Sequence, residues 1–154
     1  PWLRRELTAG VDDFGDDDDL ATALAGTLGL DPASVRVAPG TVGYSAWVDR
    51  QPAGRWESRV ALATDLAADA VLGRRVGGWR ALPGDARGSL LGALRLCLDT
   101  CPNCDGDVEL GNETAESCCR TYEVVAANCD GCGARLFEVD ASYVTGEDAT
   151  TAAA

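Results

Sequence analysis

The sequence of 154 residues contains no histidine, lysine, methionine or isoleucine. Without histidine, the chain cannot form a Ser-His-Asp or Cys-His arrangement for nucleophilic catalysis. Without lysine, it can form neither a Schiff base nor a phosphate-binding loop of the Walker type. Any catalysis would depend on Asp, Glu, Cys, Tyr or Arg, and we expect a protein that is not an enzyme.

Positive charge is also scarce, because 13 Arg stand against 25 Asp and Glu and leave a formal net charge of −12. Such a charge repels nucleic acid and anionic lipid in dilute buffer. An Asp-rich surface without lysine is typical of halophilic proteins, and at molar salt the Debye length is only about 3 Å. We therefore interpret the acidity first as an adaptation to the solvent and only then as a signal about partners.

Long hydrophobic runs are missing as well. The longest largely apolar run, residues 20–30, is shorter than the roughly 20 residues that a membrane-spanning helix needs, so no membrane segment is predicted in this chain. The start at Pro1 fits either a trimmed initiator methionine or a piece of a longer protein. In the second case, residues 2–5 would suit the cytosolic end of an upstream membrane helix.

Cysteine carries the strongest chemical signal. Seven cysteines without a signal-peptide pattern favour a reducing, cytoplasmic environment and thiolate–metal chemistry over a disulfide framework. Cys101 and Cys104 form one Cys-x-x-Cys turn, and Cys129 and Cys132 form a second one. Four thiolates on two tight turns can close a tetrahedral site around one Zn²⁺, with iron as the runner-up metal. A closed four-sulfur site leaves no position for water, so we expect the metal to be structural.

Three short strands are predicted around these turns, at residues 107–110, 117–127 and 135–140, with a turn at 111–113. Two cysteine turns with three short strands resemble the zinc-ribbon group of folds over residues 101–140. The resemblance implies that the four cysteines are the metal ligands. It does not imply one function, because ribbons occur in transcription, translation and nucleic-acid enzymes and as stabilising inserts.

Residues 1–100 are predicted to form a small domain of helices and an antiparallel meander. The predicted helices span residues 2–9, 20–28, 65–72 and 83–99, and the predicted strands span 35–37, 42–48 and 56–62. We expect Trp2, Leu3 and Leu7 to be buried together, Thr64 to cap the third helix, and Cys97 to lie in the core. The fold class is therefore α+β, with a zinc ribbon at 101–140 and a disordered tail at 141–154.

Cys118 and Cys119 are predicted to lie in the middle strand of the ribbon. Neighbouring strand residues point to opposite faces, so we expect one thiol to be packed inside and the other to be partly exposed. The alternative is a thiol redox or metal-responsive site at this pair.

A basic patch interleaved with an aromatic residue follows the third predicted helix and consists of Arg74, Arg75, Trp79 and Arg80. Such a patch can contact a partner, a phosphate backbone or a base. In so acidic a chain, an arginine cluster more often pairs with nearby carboxylates.

Together these features predict a cytoplasmic zinc-binding protein without enzymatic activity, acting as an interaction or regulatory module with a protein partner. One alternative is a transcription-related, nucleic-acid-binding zinc ribbon. The other is a thiol redox or metal-responsive protein using Cys118 and Cys119.

Overall fold

The computed structural model of the chain describes residues 2–145, which form five α-helices and two three-stranded antiparallel sheets. The helices are α1 (Trp2–Asp12), α2 (Asp17–Leu28), α3 (Arg59–Arg75), α4 (Gly84–Leu96) and α5 (Ala141–Thr145). The strands are β1 (Val35–Pro39), β2 (Tyr44–Val48), β3 (Gln51–Trp56), β4 (Val108–Ser117), β5 (Arg120–Cys129) and β6 (Arg135–Asp140). The predicted α+β class is confirmed.

Helix α2 ends at Leu28 as predicted but begins at Asp17, three residues before the predicted start. Asp16 caps its N-terminus, because its side chain accepts a hydrogen bond from the amide of Asp19 while the Asp19 side chain accepts from the amide of Asp16. Gly29 ends the helix in the left-handed conformation, with φ of 69°. The four consecutive aspartates at 16–19 therefore form the start of the helix.

The first sheet has the order β1-β2-β3, but its third strand differs from the prediction. Asp49 and Arg50 both have positive φ and form a two-residue hairpin turn, so β3 starts at Gln51. Pro52 is tolerated in β3 because this strand lies at the sheet edge. The predicted strand at 56–62 is wrong, because the chain turns at residues 49–50 without the usual Asn-Gly or Asp-Gly pair.

Helix α3 is the central element of the helical domain, which comprises α1 to α4 and the first sheet around one hydrophobic core. Ser58 caps it, with its hydroxyl accepting a hydrogen bond of 3.1 Å from the amide of Ala61. The prediction of a helix capped by Thr64 is wrong, since Thr64 lies inside α3 and its hydroxyl donates to the carbonyl of Val60. The continuous stretch Ala61–Asp69 is buried, and a helix buried on all sides has no amphipathic period by which to locate its start.

The surrounding helices bury fewer residues than expected. Leu7 is 1% exposed, but Trp2 is 45% exposed and lies under the guanidinium of Arg75, so the predicted burial of Trp2 is wrong. Leu91 of α4 is buried, whereas Cys97 follows the last turn of α4 and is exposed. The prediction that Cys97 lies in the core is therefore also wrong.

The second sheet has the order β4-β5-β6. Strands β4 and β5 pair continuously from Val108 opposite Cys129 to Ser117 opposite Arg120. The predicted turn at 111–113 lies within β4 and is wrong. The hairpin instead turns at residues 118–119, ten residues after β4 begins.

The helical domain contacts the second sheet mainly where α3 and α4 pack against β6. The hydroxyl of Ser58 donates to the carbonyl of Arg135 at 2.6 Å, and the amide of Glu138 donates to Glu57 at 3.3 Å. Buried Arg95 of α4 donates to the backbone carbonyl of Leu136 in β6. Strand β6 of the second sheet is thus bonded directly to the helical domain.

Within residues 2–145, none of the helices combines the length and the apolar composition that a bilayer-spanning helix requires. Residues Ala141–Thr145 form α5 rather than the start of the predicted disordered tail. The rest of that predicted tail, 146–154, lies outside the described residues.

Candidate metal centre

The first cysteine turn follows α4 and is closed by two backbone hydrogen bonds. The amide of Asp105 donates to the carbonyl of Cys101 at 2.9 Å, and the amide of Cys101 donates to the carbonyl of Gly106 at 2.8 Å. Asp105 has a φ of 60°, in the left-handed region that Asp tolerates better than most residues. The turn therefore forms without the glycine that commonly occupies this position.

The second turn, between β5 and β6, repeats the pattern. The amide of Gly133 donates to the carbonyl of Cys129, and the amide of Cys129 donates to the carbonyl of Ala134, both at 2.9 Å. Gly133, with φ of 73°, takes the left-handed place that Asp105 takes in the first turn. Two turns with the same hydrogen bonds therefore present two thiols each.

The four sulfurs lie within 4.8 Å of one another. The sulfurs of Cys101 and Cys132 are 3.9 Å apart, and those of Cys104 and Cys129 are 3.4 Å apart. Tetrahedral zinc with Zn–S bonds of about 2.3 Å requires sulfurs about 3.8 Å apart. The geometry and the chemistry of the four donors therefore fit one tetrahedral, thiophilic metal ion.

Backbone amides support two of these sulfurs. The amide of Gly106 donates to Cys104, and the amide of Cys132 donates to Cys129, each with a nitrogen–sulfur distance of 3.4 Å. Such bonds orient the ligands and partly neutralise thiolate charge. The turns thus supply both the donors and the groups that hold them in place.

Two glycines let the turns approach each other. A β-carbon on Gly106 would lie 3.0 Å from the sulfur of Cys129 and 3.1 Å from the backbone of Gly131. A β-carbon on Gly131 would lie 3.1 Å from the sulfur of Cys104. A side chain at either position would force the opposite turn to shift by a few tenths of an ångström, a constraint that the Cys-x-x-Cys spacing did not reveal.

The thiols differ in acidity. Burial raises the pKa of Cys101 to about 12. Burial also acts to raise the pKa of Cys129, but hydrogen bonds from the amide of Cys132, the thiol of Cys104 and the amide of Gly131 lower it to about 7. Cys129 can thus present a thiolate near neutral pH, whereas Cys101 needs a nearby cation to lose its proton.

Cys118 and Cys119 do not contribute to this cluster. Both are exposed residues of the β4–β5 turn, with sulfurs 3.2 Å apart. The prediction that one of them packs inside is wrong, because neither lies within a strand. A hydrogen bond with the Cys118 thiol raises the pKa of Cys119.

The predicted basic patch is divided between two acidic groups. Arg74 and Arg75 both pair with Glu6, while Arg80 pairs with Asp69 at 2.7 Å. Trp79 is only 5% exposed and its indole donates to Asp69 at 2.8 Å. These residues therefore face carboxylates of the helical domain, and the Trp79 ring presents no open face for stacking.

A buried charge cluster near β6 was not predicted from the sequence. Arg95, 7% exposed, lies 2.8 Å from Asp65 and also pairs with Glu57, while the indole of Trp56 donates to Asp65 at 2.9 Å. The signal was present in the sequence, because Arg95 follows buried Leu91 by four residues and so shares its helical face.

Comparison with protein families gives two matches. The central-domain model of a family of unknown function, DUF8054, matches residues 1–96. The C-terminal-domain model of the same family matches residues 99–139. No curated protein and no solved structure matches the chain.

Proposed function

The chain belongs to the DUF8054 family, and from that premise we propose that its C-terminal part is a zinc ribbon with a structural Zn²⁺. Cys101, Cys104, Cys129 and Cys132 would be the ligands. The observation that carries this proposal is the convergence of four sulfurs, on two turns with the same hydrogen bonds, to within 4.8 Å. We place zinc before iron because four cysteines on two tight turns are the usual ligand set of a structural zinc site.

A structural role is favoured over a catalytic one. Four protein sulfurs complete the coordination of zinc and leave no position for water or substrate. The ribbon also has little core of its own, because its buried apolar residues apart from cysteine are Pro102, Val124, Ala126, Ala127 and Leu136. Structural zinc can supply on the order of 10 to 16 kcal/mol to such small units, so the metal would replace the missing core.

The metal would also set the position of β6 against the helical domain. The second cysteine turn leads directly into β6, whose carbonyls at Arg135 and Leu136 accept hydrogen bonds from Ser58 and Arg95. Losing the metal would free this turn and loosen the junction. The zinc would therefore stabilise both the ribbon and its docking to α3 and α4.

We further propose that the protein works in the cytosol as a non-enzymatic interaction or regulatory module. A four-thiolate metal site persists best in a reducing compartment. A net charge of −12 and arginines already paired with carboxylates favour a protein partner over a nucleic acid.

Metal analysis of the full chain purified under reducing conditions tests this proposal. We expect one zinc per chain and X-ray absorption showing four sulfur ligands at about 2.3 Å. Cys129→Ser should lose the metal, whereas Cys97→Ser, which removes an exposed thiol outside the cluster, should keep it. Absence of zinc from the wild-type chain would reject the proposal. A coloured protein with one iron per chain would identify the bound metal as iron.

A further inference from the structure

Cys118 and Cys119 occupy a turn that does not need cysteine. They connect Ser117 to Arg120, the last pair of the β4–β5 hairpin, and neither has a positive φ. Turns are usually built from Gly, Asn, Asp, Pro or Ser. Buried free cysteine often serves as a small apolar residue, but both of these side chains are exposed. Neither the turn nor the packing accounts for two thiols here.

The pair is remote from the four-cysteine cluster. Cys129 lies at the other end of β5, nine residues beyond Arg120. With a rise of about 3.3 Å per residue, the two ends of this strand are roughly 30 Å apart. The turn thiols therefore belong to a separate site.

Adjacent cysteines are poorly placed to bond to each other. Consecutive α-carbons are about 3.8 Å apart, below the usual minimum of about 4.4 Å for a disulfide. A disulfide here would be strained and easily reduced. A single atom that binds both sulfurs avoids this strain, because the sulfurs do not have to come within bonding distance of each other.

The sulfur separation is short enough for one atom to bind both sulfurs at an acute angle. A linear two-coordinate centre with bonds of about 2.3 Å would require sulfurs about 4.6 Å apart. The observed separation is 3.2 Å. At bonds of about 2.3 Å, this corresponds to an angle of about 90° at the bound atom, which is typical of a pyramidal, three-coordinate main-group centre.

We propose that Cys118 and Cys119 form a surface dithiol site that binds trivalent arsenic compounds through both sulfurs. With an organic arsenic(III) dihydroxide, two arsenic–sulfur bonds form and two arsenic–oxygen bonds break. The two thiol protons leave with the hydroxide groups as two water molecules. Arsenic stays trivalent, so no oxidant or reductant is required.

The site has the openness that such a reaction needs. Both thiols are exposed, and they lie at the end of a hairpin. The two donors are one residue apart, so the second bond forms within one molecule and the complex should outlast a one-sulfur adduct by roughly a hundredfold or more.

Phenylarsine oxide provides the probe, added at one equivalent to the zinc-loaded chain of 154 residues in the presence of a monothiol competitor. Native mass spectrometry should show one phenylarsenic group per chain with the zinc retained. Cys118→Ser and Cys119→Ser should each lose the adduct. Cys97→Ser, which removes an exposed thiol elsewhere, should form it as the wild type does.

Zinc content measured on the same samples separates this proposal from that of the structural zinc. The dithiol site is overturned if the wild-type chain forms no adduct, if either turn variant keeps it, or if the adduct appears only as zinc is lost. Serine is close to cysteine in size and is readily solvated at an exposed turn, so we expect both variants to fold. Unchanged zinc content and circular dichroism will show that they do.

Discussion

Replacing Gly106 by alanine is expected to weaken zinc binding while leaving the helical domain folded. The added β-carbon would lie 3.0 Å from the sulfur of Cys129 and 3.1 Å from the backbone of Gly131. Ordinary contacts between such atoms are about 3.5 to 4.0 Å. The two cysteine turns would therefore have to separate by several tenths of an ångström.

Neither neighbour can move freely when metal is bound. The sulfur of Cys129 would be held by its bond to zinc, and Gly131 contributes backbone rather than a flexible side chain. Overpacking of this kind costs about 1 to 3 kcal/mol. In the metal-free chain the turns can separate at little cost, so we expect zinc affinity to fall by roughly 5- to 140-fold.

Competition with a chromophoric chelator at fixed pH measures this change, because zinc should remain bound but more weakly. Gly111→Ala is the matched control, since a β-carbon on this β4 residue meets nothing within 4 Å. All four tryptophans lie within the first 79 residues. Their fluorescence during urea unfolding therefore reports on the helical domain, and we expect it to change little in either variant.

Equal zinc affinity of Gly106→Ala, Gly111→Ala and the wild type would refute the close packing of the two turns. A matching loss in both variants would refute it as well. In that case the effect would come from alanine itself and not from its contact with Cys129.

The remaining predictions concern the helical domain. Arg95→Met should destabilise it by about 3 to 5 kcal/mol in urea unfolding, because buried carboxylates lose their counter-ion, while exposed Arg120→Met should change stability by less than about 1 kcal/mol. Burial raises the pKa of Asp65 to about 6, so its carboxyl should titrate near that pH in carbon-13 NMR. Because the folded form binds this proton more tightly than the unfolded chain, the contribution of Asp65 to stability should decline as pH rises from about 4 to about 6. Gly29→Ala should lower the stability of the protein by about 1 kcal/mol, because residue 29 has a positive φ. Gly26→Ala, at an open position on the surface of α2, should leave stability unchanged or raise it. Thermal unfolding measures both changes.

Each of these expectations has a contrary result. Similar stability losses in Arg95→Met and Arg120→Met would contradict the buried ion cluster. An Asp65 carboxyl that titrates near 4 would show that Arg95 outweighs burial. Equal effects at Gly29 and Gly26 would contradict the left-handed end of α2.

Local sequence patterns predicted much of the fold. The acidic residues 16–19 and Gly29 predicted α2, because a helix start and a helix end are each determined within about one turn. The Cys-x-x-Cys spacing likewise predicted two tight turns, because each closes over a few residues. The α+β class followed from recognising helices and strands, even where their bounds were wrong.

Errors arose where two local interpretations competed. Residues 56–62 alternate between apolar and polar types, yet α3 starts at Arg59 because Ser58 supplies its cap and burial on every side removes the helical period. Residues 118–119 were predicted to lie in a strand, yet they form a turn. The pairing of β4 with β5 over ten residues determines that the chain reverses there. The Ser58 cap lies within the alternating stretch itself, whereas the burial of α3 and the pairing of β4 with β5 involve residues outside the window that a pattern covers.

The sequence by itself determined which residues could hold a metal, because only cysteine here offers four soft donors at suitable spacing and histidine is absent. Tertiary structure decided that the two turns meet, through glycine backbones at 106 and 131 that carry no side chains between them. It also decided that Cys118 and Cys119 stand apart as an exposed pair, and that Arg95 joins the helical domain to β6. These outcomes depend on strand register and on packing between segments that are distant in the sequence. Such contacts form only when the whole chain folds, so no local pattern predicts them.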